Sequence, residues 1–177
     1  MNNTPKTNCA FDELVTLEKL VPNPRNPNQH SQSQVALLAK VILHQGWRSP
    51  IVVSTRSGFV VAGHGRLQAA MVLGLETVPV DYQDFATEAD EWAHLIADNR
   101  LAELAESDES ALRTLLGELN GTDIDMDLSG FDATALQALM LGGGDPEPPA
   151  DFPAVDENVH TDFACPRCHY AWSGKTS

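Results

Sequence analysis

The stretch that decides the fold is FVVAGHGRLQAAMVLGL, residues 59–75. It begins as an apolar run typical of a buried strand and passes through Gly63-His64-Gly65-Arg66 into the apolar spacing of a helix. Free backbone N–H groups at a helix N-terminus, beside glycines that let a ligand approach, form an anion site. Arg66 would add a bidentate donor for phosphate. A plain strand-to-helix turn is the alternative interpretation.

His64 has no side-chain neighbours in the adjoining glycines, so we expect it to face the ligand. A dinucleotide-binding fingerprint is rejected, because Gln68 stands where the third glycine should be and the preceding strand comes from a hairpin. The sequence Ser173-Gly174-Lys175-Thr176 resembles the end of a P-loop. It is rejected as well, because His169 occupies the position of the first glycine of that motif.

Outward from this stretch, the pattern predicts a small α+β core followed by helices. The core comprises an edge strand at 13–21, a helix from Ser31 to Gly46, a hairpin turning at 55–58 and a strand after residue 76. Beyond residue 86 only helices are predicted, with N-caps at Thr87, Ser107 and Asp132. The predicted organisation is a core at 11–86, a helical extension at 87–141, a flexible linker at 142–159 and a C-x-x-C tail at 160–177.

Charge is distributed unevenly along the chain. The net charge is −14, yet no acidic residue lies between Glu18 and Glu76, where six basic residues occur. From Glu76 onward, the sequence contains 22 acidic residues and four basic ones. The net charge argues against a surface that clamps DNA non-specifically. The acid-free segment favours an anionic ligand in the first half, although simple attraction between the two halves is the alternative.

Nothing in the sequence points to secretion or a membrane. The N-terminus lacks a basic region followed by an apolar one, and no apolar run is long enough to cross a bilayer. The three cysteines do not make a disulfide framework. We therefore expect a cytoplasmic protein with no membrane partner.

The tail contains Cys165-Pro166-Arg167-Cys168, which has the form of a zinc knuckle and is similar to half of a rubredoxin or zinc ribbon. Two thiolates make only half a site. His160, His169 or Cys9 would complete a Zn²⁺ site, or a second copy in a homodimer would do so. The alternative is a metal-free tail that docks on a partner. The acidic residues at 123, 125 and 127 are interpreted as a solvated edge rather than as metal ligands.

The order of these features closely resembles the ParB/sulfiredoxin superfamily, and specifically its ParB-like N-terminal (ParB-like nuclease) domain. The resemblance rests on the Asn/Pro/Gln segment 23–30, GWRSPIV at 46–52, AGHGRLQAA at 62–70 and VPV at 78–80. It continues through IADNRLAE at 96–103 to LSGFD at 128–132, as in ParB-like proteins of phages and mobile elements that accompany DNA methyltransferases. The implied fold is a small mixed sheet with flanking helices, plus a helical extension and the knuckle-like tail.

The resemblance implies a pocket for a nucleoside triphosphate, CTP or ATP, with Mg²⁺ as a companion ion. Arg66 and Arg100 would contact phosphates, and Asn99 would orient a phosphate or the metal. Relatives carry an acidic residue linked to hydrolysis at the position of His64, so hydrolysis is an open question, with His64 and Asn99 as the candidate catalytic residues. The implied nucleotide-binding residues are Gly46, Arg48, Pro50, Gly63, His64, Gly65, Arg66, Asn99 and Arg100.

The sequence therefore predicts a ParB-like nucleotide-binding module in phage or mobile-element DNA metabolism. It would engage DNA directly or through a partner such as a methyltransferase, with a homodimer as a further expectation. The alternatives are a nucleotide-dependent DNase or phosphotransferase of the same fold and a non-catalytic adaptor. No methyltransferase motif is present. No convincing helix-turn-helix is apparent, so the chain is not expected to read a DNA sequence itself.

Overall fold

The computed structural model describes residues 4–141 and 163–172, and its contacts divide the chain into two compact units, Met1–Leu141 and Gly142–Ser177. The first unit is built on a five-stranded mixed sheet with the order β1-β5-β3-β4-β2. Its strands are β1 Glu13–Thr16, β2 Val21–Pro22, β3 Ile51–Ser54, β4 Phe59–Ala62 and β5 Thr77–Gln83.

The pairing of the strands confirms the predicted small mixed sheet. Strand β5 pairs antiparallel with β1 and parallel with β3, while β4 pairs antiparallel with β3 and parallel with β2. The prediction of a single edge strand at 13–21 is wrong. A short 3-10 helix, Leu17–Lys19, interrupts it, and the two pieces form opposite edges of the sheet.

Within residues 4–141, five helices accompany the sheet, and most begin at the predicted caps. The Ser31 hydroxyl accepts from the Gln34 amide at 3.1 Å, and Thr87 forms a reciprocal capping box with Asp90. The fourth helix is capped by Asp108 rather than by Ser107, because the Asp108 carboxylate accepts two amides of the first turn. The helices are α1 Gln32–Gln45, α2 His64–Val72, α3 Glu88–Glu103, α4 Glu109–Asn120 and α5 Ala133–Met140, with a 3-10 helix at Met126–Ser129.

The hydrophobic core lies where α1 and α2 meet the sheet. Trp47 belongs to this core and is only 2% exposed. The other core side chains come from β1, β3, β4, β5, the inner faces of α1 and α2, and the residue just before β2: Val15, Leu20, Val35, Ala39, Ile42, Ile51, Val53, Val60, Leu67, Ala69, Ala70, Val78 and Val80.

A buried carboxylate attaches α3 to the β3–β4 hairpin. Glu91 is 2% exposed, and its two carboxylate oxygens accept from the hydroxyls of Ser54 and Ser57, each at 2.7 Å. A buried charge of this kind is tolerated because it is hydrogen-bonded. The pair of hydroxyls therefore fixes the first turns of α3 over the sheet.

The helical extension is attached to α1 through Lys40. Its ammonium group lies 2.7 Å from Asp125 and 2.6 Å from Asp127. Both pairs are exposed, so each contributes little energy. The contact nevertheless shows that two of the three alternating acidic residues, Asp125 and Asp127, pair with a lysine. Within residues 4–141 and 163–172, no group of three or more His, Cys, Asp or Glu side chains could hold a metal ion.

The second unit contains a short antiparallel hairpin, β6 Phe163–Ala164 and β7 Ala171–Trp172, around the C-x-x-C turn. The Cys165 amide donates to the Tyr170 carbonyl at 2.8 Å, and the His169 amide donates to the Cys165 carbonyl at 2.9 Å. Among the described residues of the whole chain, no helix is both long and apolar enough to traverse a bilayer.

Gly46 is the point at which α1 must stop. Its φ of 75° and ψ of −175° lie in a region that only glycine adopts readily. A Cβ there would lie 2.2 Å from the Lys6 carbonyl oxygen. That carbonyl accepts from the Trp47 amide at 2.8 Å, so it cannot move away without breaking the contact that holds the N-terminal segment to the core.

We predict that Gly46→Ala lowers the free energy of unfolding by at least about 2 kcal/mol, through backbone strain and the clash with Lys6. Gly58→Ala is the matched control. Gly58 has the same φ of 75°, but a Cβ there would meet nothing within 4 Å, so strain of about 1 kcal/mol is its whole cost. Urea denaturation measures both variants, and equal losses would show that the Lys6 contact is unimportant.

Candidate functional site

The site begins at the left-handed turn between β4 and α2. Gly63 is the N-cap of α2, with φ 91° and ψ 24°, a conformation that costs glycine little and other residues more. No side chain caps the helix. The first backbone N–H groups of α2 are therefore left to other partners, and the helix dipole favours an anion among them.

A cavity of about 190 Å³ opens at this helix start. Sites for whole drug-sized ligands measure about 300–1,000 Å³, so this space fits phosphate groups rather than an entire nucleotide. We call it the Gly63–Arg66 cavity. Its walls are Asn26, His30, Leu38, Val61, Gly63, His64, Gly65, Arg66, Asp98 and Asn99.

Arg66 places a half-buried guanidinium in the cavity wall. Its Nη2 donates to the Pro50 carbonyl at 3.1 Å, while its buried Nε has no hydrogen-bond partner in the described structure. Burial lowers the pKa of Arg66 below its usual range, and the negative charge of Asp98 works in the opposite direction. An orphaned buried donor is costly, and the side chain that carries it lines the cavity.

Gly63 and Gly65 have a packing role, and they also leave room for a ligand to approach. A Cβ on Gly63 would lie 2.9 Å from Nη2 of Arg66. A Cβ on Gly65 would lie 2.9 Å from Cδ1 of Leu38 and 3.2 Å from Cε1 of His30. The bare backbone at both positions is thus what allows α2 to lie close to α1 and Arg66 to fold back over the turn.

His64 lines the cavity, but its ring is not free of other contacts. The side chain is only 8% exposed, and its Nε2 accepts from the backbone N–H of Asn23 at 3.3 Å. The neighbouring glycines leave room around the ring, but a segment 41 residues earlier fills it. Burial lowers the pKa of His64, nearby His30 lowers it further, and Asp98 partly compensates.

The last turns of α3 supply another wall of the cavity. Asn99 lies there and donates from Nδ2 to the Leu95 carbonyl of its own helix at 3.1 Å, beside Asp98. Arg100, predicted to bind phosphate, is exposed, and its Nη1 pairs with Glu103 at 2.8 Å. It is not part of the cavity wall.

The structure therefore brings together only part of the predicted site. Gly46 and Arg48 line a different groove, beside Lys6 and Asn8. Pro50 does not line the Gly63–Arg66 cavity, but its carbonyl accepts a hydrogen bond from Arg66, which does. The predicted residues that share the cavity are Gly63, His64, Gly65, Arg66 and Asn99.

Sequence reasoning missed the side chains that complete the cavity. Asn26 and His30 belong to a segment whose prolines and asparagines indicate only that it is irregular. Asp98 directly precedes Asn99 on α3. The Asn/Pro/Gln segment was part of the family resemblance, and that was the available signal. No local pattern indicates which of its side chains meets a loop more than 30 residues away.

In the tail, the pKa of Cys165 is lowered by hydrogen bonds from the backbone amides of Arg167 and Cys168 and by the Cys168 thiol. His169 has a φ of 62°, which completes the tight turn. Thiolates favoured by backbone amides suit a soft metal such as zinc. His160, a predicted ligand, lies outside the described residues, and the described ones hold no complete ligand set.

The fold and the cavity define an α+β domain with an anion-type loop between a buried strand and a helix. The sequence model of the ParB N-terminal domain matches residues 3–99, more than half of the chain. The chain belongs to the ParB N-terminal domain family.

Two curated relatives support this assignment. The ParB-like nuclease domain-containing protein YnaK of Escherichia coli K12 is 41% identical over 64 residues, which is 36% of this chain and 72% of YnaK. Stage 0 sporulation protein J of Bacillus subtilis is 36% identical over 70 residues, which is 38% of this chain and only 25% of that protein.

A solved ParB structure shows the same fold. The C-terminally truncated ParB of Caulobacter crescentus, complexed with CTP-γ-S, has a TM-score of 0.57 at 21% identity, covering 72% of this chain and 76% of that one. Sulfiredoxin from Arabidopsis thaliana has a TM-score of 0.40 at 26% identity, covering 47% of this chain and 94% of that one. The structural assignment of the fold rests on the ParB match.

The expectation that the chain contains no helix-turn-helix is wrong. The sequence model of the ParB-methyltransferase HTH domain matches residues 110–162. That range includes nearly all of α4, the 3-10 helix Met126–Ser129 and α5, and it then extends beyond the described residues. The connection between α4 and α5 contains the 3-10 helix Met126–Ser129 and is longer than the three- or four-residue turn by which such a motif is usually recognised.

We predict that the stability of the protein falls as pH decreases below 6.5, the ordinary pKa of histidine. The folded state resists protonation of His64, whereas the unfolded chain accepts the proton, so unfolding is favoured from pH 6.5 down to the lower pKa of the folded state. The measurement is urea denaturation from pH 7.5 to 5, above the range in which most carboxylates titrate. His64→Gln, which does not ionise, should show a shallower decline, and parallel curves would contradict the assignment.

Proposed function

We propose that this chain is a ParB-like module that binds a nucleoside triphosphate, CTP or ATP, and acts in phage or mobile-element DNA metabolism. The observation that carries the proposal is the orphaned Nε of Arg66 beside the uncapped start of α2. Backbone amides, a helix dipole and an arginine with unused donors converge on one cavity. Phosphate satisfies all three at once.

The size of the cavity and the relatives support the same ligand. The phosphates would occupy the Gly63–Arg66 cavity, while the base and sugar would lie outside it. A ParB of similar fold is complexed with CTP-γ-S. Asp98 and Asn99 in the cavity wall offer the oxygen ligands that Mg²⁺ takes when it binds together with phosphates; that ion would neutralise phosphate charge.

Engagement of DNA follows from the helical part of the chain. The helix-turn-helix match makes α4 and α5 the elements that we propose contact DNA, directly or together with a methyltransferase-like partner. The acidic character of this half argues against broad electrostatic clamping, so binding there would depend on a limited surface. A module that binds nucleotide through its first half and DNA through its second half would be a nucleotide-dependent DNA-binding protein.

A nucleotide-dependent nuclease is the second candidate, favoured by the name of YnaK, a ParB-like nuclease domain-containing protein. It would require His64 or Asn99 to act on a bound group. Asn99 is engaged with its own helix and His64 with Asn23, so binding without rapid turnover is the favoured form of the proposal.

We predict that CTP or ATP binds the full chain in isothermal titration and that Arg66→Ala weakens the affinity about 10- to 100-fold. That is the loss expected from removing a charge-assisted contact of about 1.5–3 kcal/mol. Arg113→Ala is the matched control, because Arg113 lies on α4 and pairs with Glu109 at 2.9 Å. It should leave the affinity unchanged.

Absence of binding by the wild type, or equal binding by Arg66→Ala, would overturn the nucleotide proposal. The titrated samples also separate the remaining functions. DNA retention that increases with nucleotide supports the DNA-binding module. Metal-dependent cleavage or phosphate release that is lost in Asn99→Ala would favour the nuclease. Capture of a methyltransferase without any nucleotide binding would favour the adaptor.

We also propose that the tail binds Zn²⁺ through Cys165 and Cys168. The backbone amides directed at Cys165 stabilise its thiolate, which is the form that binds metal. The two thiolates supply half of a tetrahedral site. A homodimer that shares one ion between two tails, or additional ligation by His160 or His169, would complete it.

We predict that purified protein contains zinc and that Cys165→Ser with Cys168→Ser removes it. One zinc per two chains would indicate a shared site, and one per chain would indicate ligands from the same chain. Metal analysis by mass spectrometry makes the measurement, and Cys9→Ser tests whether the remaining cysteine contributes a ligand. Protein free of zinc after purification without chelators would leave the tail as a docking segment.

A further inference from the structure

The segment Asn23–Asn28 is a series of side-chain-supported turns that begins at a buried residue. Asn23 is 5% exposed, and its Oδ1 accepts from the Arg25 amide at 2.9 Å. The Asn26 amide donates to the Asn23 carbonyl at 3.1 Å, and Oδ1 of Asn26 accepts from the Asn28 amide at 3.2 Å. Its shape is therefore set locally, and its placement depends on where Asn23 is held.

This segment separates two cavities. Asn26 forms part of the Gly63–Arg66 cavity, whereas Asn23 and Arg25 line a second cavity of about 310 Å³. On that second side, the Arg25 guanidinium lies over the Trp92 ring, 4.1 Å from its centroid. A shift of Asn23 would move Asn26 relative to the cavity wall and Arg25 relative to Trp92 together.

His64 ties this segment to the start of α2. Because the Asn23 backbone N–H can only donate, Nε2 of His64 must be an unprotonated acceptor, which places the ring proton of the neutral imidazole on Nδ1. A proton on Nε2 would place two donors against each other. The charged and titratable groups that act on the ring are His30 at the end of the irregular segment and Asp98 on α3, and Arg66, two residues further along α2, lines the same cavity.

We propose that His64 is a positioning residue that holds Asn23–Asn28 against α2, so that Asn26 completes the wall of the Gly63–Arg66 cavity. In this role Nε2 is engaged with the Asn23 N–H and is unavailable as a reacting acid or base. This inference rests on the proposed nucleotide site for its ligand-binding consequence, and on the Asn23 contact alone for its structural consequence.

The test compares His64→Gln with His64→Leu. The glutamine amide oxygen can accept from the Asn23 N–H, whereas leucine fills similar space without an acceptor. In titrations with CTP and ATP, His64→Leu should bind about tenfold more weakly, and His64→Gln should recover most of that loss. A reacting role predicts the reverse, namely that both variants bind normally and both lose turnover.

A measurement without nucleotide keeps this inference separate from the proposed function. The Asn23 amide should be protected from hydrogen exchange in NMR spectra of the wild type and His64→Gln, and should lose protection in His64→Leu. If His64→Leu does not fold, His64→Asn, whose acceptor is too short to reach, replaces it. Unchanged Asn23 protection in the acceptor-less variant overturns the inference. Failure of the wild type to bind nucleotide, with Asn23 protection lost as expected, overturns only the proposed function.

Discussion

The left-handed turn at Gly63 is the constraint on which the rest of the structure depends. It takes the chain from β4, an interior strand, directly into α2 without an intervening loop. The first turn of α2 therefore starts at the sheet itself. Its amides border a cavity, Arg66 folds back over the turn, and His64 enters the protein interior. A residue with a Cβ at position 63 would strain the turn and displace the Arg66 guanidinium together.

Buried polar groups connect this turn to distant parts of the chain. Glu91 fixes α3 to the β3–β4 hairpin through two serine hydroxyls, and His64 fixes the Asn23–Asn28 segment to α2. Each of these buried groups has a partner, as buried polar groups require. The Nε of Arg66 has none within the described residues. Nε2 of His94 and Nε of Arg113 also lack a partner there, but of the three residues Arg66 is the one at the uncapped start of α2. That position is the physical reason for placing an anion beside Arg66.

The uneven charge of the sequence has two structural expressions. Lys40 holds Asp125 and Asp127, so the basic and acidic halves do attract one another at that point. The arginines of the acid-free segment form no ion pair among the described residues. Exposed pairs such as those of Lys40 contribute little energy, so the charge pattern bears more on where an anionic ligand can bind than on stability.

The sequence by itself determined the local elements and the family. Caps at Ser31, Thr87 and Asp132, the glycine that ends α1 and the strand-to-helix transition at Gly63 depend on neighbours within about one helical turn, and these were predicted correctly. The motif order was enough to indicate the ParB N-terminal domain.

Only the tertiary structure decided which residues meet. Gly46, Arg48 and Arg100 lie outside the cavity, whereas Asn26 lies in its wall. The His64 side chain is buried against Asn23. The tertiary structure also split the 13–21 strand between opposite edges of the sheet. These outcomes depend on contacts between residues that are far apart in the chain, and no local pattern of side chains encodes them, because the energy of each contact depends on what the rest of the fold places beside it.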